Sequence, residues 1–313
     1  MEIIIQLLLL AVGFVMLVKG ADWFVDGSSA IAMKFKIPQL VIGLTIVAMG
    51  TSAPEAAVSI TAALQENAGI TIGNIVGSNI LNILIILGLS SVITALAVSK
   101  STIKVETPFM ILITLVLLWM GYNGVVGFVE GIVLLVLFVT YLAYLFVMAK
   151  KGDGSDVDEI KDISTPKALA FTAVGLVLIV YGSTVTVDAA TALARIFGLS
   201  ERFIGLTIVA LGTSLPELFT SVSAARKGNA DIAIGNIVGS NIFNILFVIG
   251  ISSVIIDVPF EKGFLVDTIV AVLAGVLLLV CSLTKDRKLK RPAGILMLVC
   301  YAVYFVLLWN KVW

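Results

Sequence analysis

The stretch GTSAPE, Gly50–Glu55, lies inside a long apolar run, and the chain repeats it as GTSLPE at Gly212–Glu217. A proline interrupts a helix, because it has no amide hydrogen for the carbonyl four residues earlier. A carboxylate at membrane depth is also unfavourable, by about 2.5 to 3.5 kcal/mol on insertion scales. A purely structural role would rarely justify both features at two places. We therefore expect the two motifs to carry the function of the protein.

The composition indicates a membrane protein. Of the 313 residues, 60% are hydrophobic and 13% are charged, and the mean hydropathy is +1.15. One soluble core cannot bury that much apolar surface. Apolar stretches of about 20 residues recur along the chain, and each is long enough to cross a bilayer as a helix. The stretches lack the period-two alternation of a barrel strand, which argues against a transmembrane β-barrel.

The sequence predicts an all-α membrane protein with ten transmembrane helices. We place the spans at residues 3–32, 38–64, 69–97, 106–122, 127–149, 168–197, 203–225, 230–257, 263–283 and 292–311. The chain then divides into a first half (1–149), a polar linker (150–167) and a second half (168–313). The first run contains Glu2 and lacks a basic segment before it, so we expect a retained helix and not a cleaved signal peptide.

The basic residues predict the orientation in the cell membrane. They concentrate near alternate loops on one side, at Lys34, Lys36, Lys100, Lys104, Lys150, Lys151, Lys161, Lys167, Arg226, Lys227, Lys285, Arg287, Lys288, Lys290 and Arg291. The other side receives Arg195, Arg202, Lys262 and Lys311. Because basic residues in short loops stay cytoplasmic, we predict a cytoplasmic linker and both termini outside.

Other features of the composition limit the partners. Acidic and basic residues are equal in number, at 20 each, and histidine is absent, so the net charge does not suggest a nucleic-acid partner. Cys281 and Cys300 both fall inside predicted spans, where we expect them to act as small apolar residues. The sequence suggests neither a disulfide framework nor a zinc site, and we expect no cofactor.

The two halves are copies of one unit. A shift of 162 residues lays VIGLTIVAMGTSAPE over FIGLTIVALGTSLPE, and NAGITIGNIVGSNILNIL over NADIAIGNIVGSNIFNIL, without a gap. Glycine, proline, serine and asparagine match as well as the aliphatic residues, so general hydrophobicity cannot explain the agreement. With five predicted spans in each half, the second half should enter the membrane inverted. Inverted repeats in transporters place their sites near the midplane, at discontinuous helices.

Each proline should produce such a discontinuity. Pro54 has no amide hydrogen for the carbonyl of Gly50, and Pro216 leaves the carbonyl of Gly212 unpaired in the same way. No water replaces the lost bond inside a membrane, so bound cations could satisfy these acceptors. Glu55 then lies in the first turn of the following half-helix, whose positive dipole end favours an ionised carboxylate.

A polar stripe follows each motif. It consists of Asn74, Ser78 and Asn82 in the first half, and of Asn236, Ser240 and Asn244 in the second. Carboxylate, hydroxyl, amide and carbonyl oxygens suit a hard cation such as Ca²⁺ or Na⁺, whereas a soft metal would require Cys, His or Met. Hydrogen bonding between helices is an alternative role for Asn74, Asn79, Asn236 and Asn241.

At these motifs the chain resembles the calcium:cation antiporter superfamily, in its prokaryotic sodium/calcium exchanger type. GTSAPE with GNIVGSNILN, and GTSLPE with GNIVGSNIFN, stand where that family has its two alpha-repeats, and the resemblance covers nearly the whole chain. It implies that the first and sixth helices slide past a bundle built around the second, third, seventh and eighth. It also implies ion ligands at Glu55, Glu217, Asn82, Asn244, Thr51, Thr213, Ser52, Ser214, Ser78 and Ser240, with the backbone carbonyls of Ala48 and Ala210.

The resemblance implies a secondary active antiporter and not an enzyme. Calcium would be exchanged for sodium by alternating access, with both ions bound as substrates and the protein acting as a monomer in the bilayer. A proton/calcium antiporter is the alternative, although proton-coupled relatives commonly carry a different acidic motif in place of GNIVGSN. A passive cation channel fits the inverted repeat poorly. Asn244 stands where several relatives, including potassium-dependent exchangers, carry an aspartate, which argues against potassium co-transport.

Overall fold

The structure is a computed structural model that describes residues 2–66, 68–151, 163–197 and 210–310. Most of the predicted linker and the start of the seventh predicted span lie outside these ranges. The described residues form twelve helices, each interrupted by no more than a local change of helix type. In chain order they are α1 (Glu2–Lys34), α2 (Gln39–Thr51), α3 (Ala53–Leu64), α4 (Gly69–Ile93), α5 (Thr102–Asn123), α6 (Phe128–Lys151), α7 (Thr165–Ile196), α8 (Ala210–Thr213), α9 (Leu215–Arg226), α10 (Ala230–Ile255), α11 (Lys262–Ser282) and α12 (Arg291–Trp309).

Most of these helices are long and apolar enough to cross a membrane. Among the described residues, eight helices meet that condition singly, and α2 with α3 forms a ninth span that bends by 50° at its break. The break confirms the discontinuity predicted at Pro54. The seventh predicted span, 203–225, is described only from Ala210 onward, where α8 and α9 follow one another around Ser214.

Two predicted spans end earlier than expected. α4, predicted as residues 69–97, stops at Ile93 because Thr94 is extended, with φ −143° and ψ 134°. α10, predicted as residues 230–257, stops at Ile255 because Ile256 is extended in the same way, with φ −155° and ψ 152°. The predictions that these two helices continue to residues 97 and 257 are therefore wrong.

Short strands follow these helix ends and join loops of the two halves. The strands are β1 (Leu96–Ala97), β2 (Val125–Val126), β3 (Val258–Pro259) and β4 (Lys288–Leu289). β1 pairs antiparallel with β4, and β2 pairs antiparallel with β3. Each ladder is only two residues long, so the protein remains an all-α fold.

Corresponding elements recur at the offset of the sequence repeat. The second half-helix of the broken span starts at Ala53 in the first half and at Leu215 in the second. Within α4 the backbone changes to π-helix over Asn82–Leu87, and within α10 it does so over Asn244–Ile249. The repeat is thus kept in local backbone geometry as well as in sequence.

The equivalent helices α1 and α7 pack against each other in antiparallel directions. At the contact, Gly13 faces Thr186 and Gly182, Gly20 faces Gly175 and Ile179, and Gly27 faces Thr172 and Ala168. A Cβ atom on Gly20 would lie 2.9 Å from the carbonyl oxygen of Gly175, so only glycine allows the two backbones to come so close. The two helices form a tightly packed pair.

The pair also contacts the rest of the protein through charged side chains. Lys227, just after α9, places its Nζ 2.6 Å from a carboxylate oxygen of Asp26 on α1. Ser223 of α9 donates a hydrogen bond of 2.7 Å to Asp22 on the same helix. Asp26 therefore links α1 to the segment that follows α9.

The centre of the molecule is formed by α4 and α10. In the most apolar window of α10, 94% of the residues are buried within the protein, against 11% in α12. Both central helices carry the polar stripes predicted from the sequence. The stripes therefore face protein, which is where polar groups in a membrane helix find partners.

Candidate cation-binding site

The two glutamates of the repeated motifs lie at the breaks of the discontinuous helices. Ser52 separates α2 from α3, with φ −81° and ψ 6°, and Ser214 separates α8 from α9, with φ −90° and ψ 4°. Glu55 and Glu217 stand in the first turns of the helices that follow, as predicted. Both are buried, with exposed fractions of 1% and 0%.

The serines at the breaks bind the glutamate of the opposite half. Ser52 donates a hydrogen bond of 2.7 Å to Oε1 of Glu217, and Ser214 donates one of 3.3 Å to Oε1 of Glu55. Both serines are N-cap residues, yet neither makes a side-chain capping bond to its own helix. Their hydroxyls instead join the two halves at the carboxylates.

Four buried oxygen atoms at this junction have no hydrogen-bond partner. They are Oε2 of Glu55, Oε2 of Glu217, Oδ1 of Asn82 and Oδ1 of Asn244. Leaving one buried acceptor unsatisfied is unfavourable by about 1 to 3 kcal/mol. The four atoms come from α3, α9, α4 and α10, as two pairs of equivalent residues. Two carboxylate and two amide oxygens fit a hard cation, so the residues present suit a calcium or sodium ion as cargo.

The side chains of Asn82 and Asn244 are held by two further asparagines. Asn82 donates a hydrogen bond of 3.0 Å to Oδ1 of Asn241, and Asn244 donates one of 3.1 Å to Oδ1 of Asn79. Asn82 and Asn244 also begin the π-helical segments of α4 and α10. Such segments occur frequently at functional sites.

The hydroxyl and carbonyl groups implied by the resemblance lie in the same cluster. Thr51 donates a hydrogen bond of 2.9 Å to Oδ1 of Asn236, and Ser240 donates one of 3.3 Å to the carbonyl of Ala48. That carbonyl also accepts the Ser52 amide at 3.0 Å. Ser78 lies 3.5 Å from Ser214, measured between the hydroxyl oxygens.

The remaining two implied positions lie at the break in the second half. Thr213 is half-buried at the last residue of α8, one residue before Ser214. Ala210 is the first residue of the same short helix. The structure therefore brings the implied side chains together around two broken helices and two central helices.

One predicted acceptor is already satisfied by the protein. The carbonyl of Gly212, which Pro216 deprives of its helical partner, accepts a hydrogen bond of 2.6 Å from the hydroxyl of Ser183 on α7. The prediction that Pro216 leaves this carbonyl without a partner is therefore wrong, while its second lone pair can still accept. The equivalent first-half residue of Ser183 is Ala21, which has no hydroxyl. No sequence pattern indicates this contact, because the first half of the repeat has no equivalent hydroxyl.

Asn74 and Asn236 join neighbouring helices. Asn74 donates to Ser59 Oγ at 2.9 Å and to the carbonyl of Glu55 at 3.3 Å. Asn236 donates to Ser221 Oγ at 2.9 Å and to the carbonyl of Glu217 at 3.4 Å. These bonds confirm the alternative role of hydrogen bonding between helices for this pair, and they fix the backbone that carries each glutamate. Ser59 and Ser221 were not singled out from the sequence.

The charge of the site comes from two acids. The two carboxylates lie close enough for their charges to repel each other when both are ionised. Within the described ranges, no group of three or more His, Cys, Asp or Glu side chains could hold a metal ion. An arrangement with two acids and neutral oxygens suits a cation that must also leave.

Comparison with known proteins agrees with this geometry. The family profile described as "Sodium/calcium exchanger protein" matches residues 5–147 and again residues 167–310. The chain belongs to this family. A solved structure of the sodium-calcium exchanger NCX_Mj, soaked with zero Na⁺ and Ca²⁺, superposes with a TM-score of 0.87. It is 35% identical in sequence, and the match covers 98% of this chain and 99% of that one.

Relatives of similar length extend the comparison. The sodium/calcium exchanger MaX1 of Methanosarcina acetivorans is 34% identical over 98% of this chain and 99% of its own. The inner membrane protein YrbG of Escherichia coli is 34% identical over 96% of both chains. The resemblance noted from the motifs is confirmed. The family consists of multi-pass membrane transporters, and the matches to named exchangers support cation antiport as the activity.

Proposed function

We propose that this exchanger is a secondary active antiporter that moves calcium against sodium across the cell membrane by alternating access. The observation that carries the proposal is the set of four unpartnered buried oxygens of Glu55, Glu217, Asn82 and Asn244. They form a site with two negative charges between two broken helices. One Ca²⁺ neutralises both charges, and several Na⁺ ions could use the same oxygens. Competition for shared ligands is the physical basis of exchange.

The full ligand set of the proposal adds the oxygens around this centre. It comprises the hydroxyls of Thr51, Ser52, Ser78, Thr213, Ser214 and Ser240, with the carbonyls of Ala48 and Ala210. The hydroxyls of Thr51, Ser52, Ser214 and Ser240 donate hydrogen bonds to other oxygens, so these four groups would turn when an ion binds. No cofactor takes part, and a monomer suffices because both copies of the motif are in one chain.

Sodium is favoured over protons as the coupling ion. Two of the four unpartnered oxygens belong to amides, which do not take up a proton near neutral pH. These two oxygens can therefore bind a metal ion but cannot carry a proton in exchange. The relative MaX1 and the solved NCX_Mj are both named sodium/calcium exchangers, and each matches nearly the whole chain. Proton/calcium antiport remains the second candidate, because Glu55 and Glu217 could each take up a proton in place of an ion.

The proposed architecture is ten helices in two inverted five-helix halves, residues 1–149 and 168–313. The antiparallel contact of α1 with its equivalent α7 supports the inversion. The proposal keeps the linker, 150–167, on the cytoplasmic side and both termini outside, as the basic residues predict.

Transport in proteoliposomes tests the proposal. The purified protein is reconstituted, loaded internally with sodium, and supplied with radioactive calcium outside, and uptake is compared with and without the sodium gradient. We expect uptake that depends on internal sodium. Uptake driven equally by a proton gradient without sodium would support the second candidate, and uptake without any counter-ion gradient would indicate a channel. Liposomes that contain the Glu55→Gln variant are the negative control, because this variant lacks one of the two carboxylates of the site.

A further inference from the structure

We propose that Asn79 and Asn241 are positioning residues that act crosswise, each turning the ligand amide of the opposite half so that its oxygen faces the cation. The inference rests on the proposed site at Asn82 and Asn244. It assigns a role to two residues that the sequence left as general links between helices.

Asn79 and Asn241 first bind each other's backbone. Nδ2 of Asn79 donates a hydrogen bond of 3.2 Å to the carbonyl of Asn241, and Nδ2 of Asn241 donates one of 3.1 Å to the carbonyl of Asn79. Both side chains are buried, with 3% and 1% of their surface exposed. A carbonyl oxygen only accepts hydrogen bonds. The amide nitrogen of each residue is therefore fixed on the carbonyl of the other asparagine, and its amide oxygen is left to accept a hydrogen bond from a second donor.

The fixed oxygen then determines the orientation of the ligand amide. Oδ1 of Asn241 accepts a hydrogen bond of 3.0 Å from Nδ2 of Asn82. Oδ1 of Asn79 accepts one of 3.1 Å from Nδ2 of Asn244. Because these Oδ1 atoms can only accept, the amide of Asn82 or Asn244 must turn its NH₂ group toward them. The other side, Oδ1 of Asn82 or Asn244, is left without a partner in the protein. The side chain of the asparagine in each half thereby orients a cation-binding oxygen in the other half.

The same arrangement favours a neutral amide over a carboxylate at both ligand positions. A carboxylate at position 82 would place an acceptor against Oδ1 of Asn241. If the amide of Asn241 turned over to donate, its oxygen would face the carbonyl of Asn79 instead. Either choice sets two acceptors against each other in a buried place, which is unfavourable. The pair thus helps to keep the charge of the site at that of two glutamates.

The experiment is a set of double-mutant cycles read by equilibrium binding of radioactive Ca²⁺ to the purified protein in detergent. Asn241→Val removes the orienting oxygen, and Asn241→Thr is its matched control, since threonine has nearly the same shape but can donate and accept. We expect Asn241→Val to raise the half-saturating calcium concentration about tenfold, and Asn241→Thr to recover much of that loss.

The crosswise pairing gives the decisive comparison. In a background with Asn82→Leu, the ligand oriented by Asn241 is already gone, so Asn241→Val should add little further loss. In a background with Asn244→Leu, the same change should still cause the full loss of about tenfold. Equal additional losses in both backgrounds would overturn the proposal, because they would indicate a general packing role for Asn241.

The design separates this inference from the function on which it rests. If wild-type protein binds no calcium, the proposed function fails. If it binds calcium but the two cycles agree, only the crosswise role fails. Should Asn241→Val not yield folded protein, the mirror cycle with Asn79→Val and Asn79→Thr, in the Asn244→Leu and Asn82→Leu backgrounds, makes the same comparison. There the small further loss is expected with Asn244→Leu.

Discussion

Replacing Glu217 with glutamine should weaken calcium binding by two to four orders of magnitude. The substitution keeps the shape of the side chain and leaves an oxygen to accept the 2.7 Å hydrogen bond from Ser52. The second oxygen of the glutamate, which has no partner in the protein, becomes an NH₂ group directed into the site. The change therefore removes one of two charges and presents a donor to the cation.

The magnitude follows from the burial of the site. Glu217 is fully buried, so solvent does not screen the lost charge. Breaking a buried ion pair from one side is unfavourable by about 3 to 5 kcal/mol. At 1.4 kcal/mol for each factor of ten, this corresponds to roughly 140- to 3,700-fold weaker binding of calcium. The equivalent change Glu55→Gln should cause a similar loss, because its carboxylate occupies the equivalent position.

The assay needs a buried glutamate outside the site as a control. Glu106 on α5 is also fully buried, and it accepts a hydrogen bond from Tyr144 on α6. We expect Glu106→Gln to bind calcium within a few-fold of the wild type, while Glu217→Gln shows no sodium-driven calcium uptake in proteoliposomes. Both variants should elute as a single monodisperse species in detergent. Calcium binding by folded Glu217→Gln within tenfold of the wild type would refute the reasoning, and so would an equal loss in Glu106→Gln.

Three further predictions follow from other parts of the structure. External potassium should not change the exchange rate at clamped voltage, because Asn244 offers a neutral amide; a strict potassium requirement would contradict this expectation. Gly20→Val should lower the midpoint of thermal unfolding, since its Cβ would lie 2.9 Å from the carbonyl of Gly175, and overpacking of this kind is unfavourable by about 1 to 3 kcal/mol; an unchanged midpoint would show that α1 and α7 separate easily. In a background without the two native cysteines, an impermeant maleimide applied to intact cells should label Asn67→Cys but not Asn229→Cys; labelling of both would refute the inverted repeat.

The sequence by itself determined the class of the protein and the residues of its charged centre. Hydropathy over about 20 residues is a local property, so it located the helices without knowledge of their packing. The repeat in sequence predicted equivalent elements, and the π-helical segments of α4 and α10 follow its offset. Pro54 and Glu55 predicted a broken helix with an acid in the following turn, because both effects act within one turn of backbone.

Only the tertiary structure decided which atoms face the site. The hydrogen bonds of Ser52 with Glu217 and of Asn82 with Asn241 join residues 165 and 159 positions apart. No local pattern specifies such pairs, since they depend on how two halves of the chain pack against each other. The bond from Ser183 to the carbonyl of Gly212 has the same origin, and it supplies a partner to an acceptor that the sequence alone left unpaired. Local rules act along the backbone, whereas the direction of a buried amide is set by the partner that packing places opposite it.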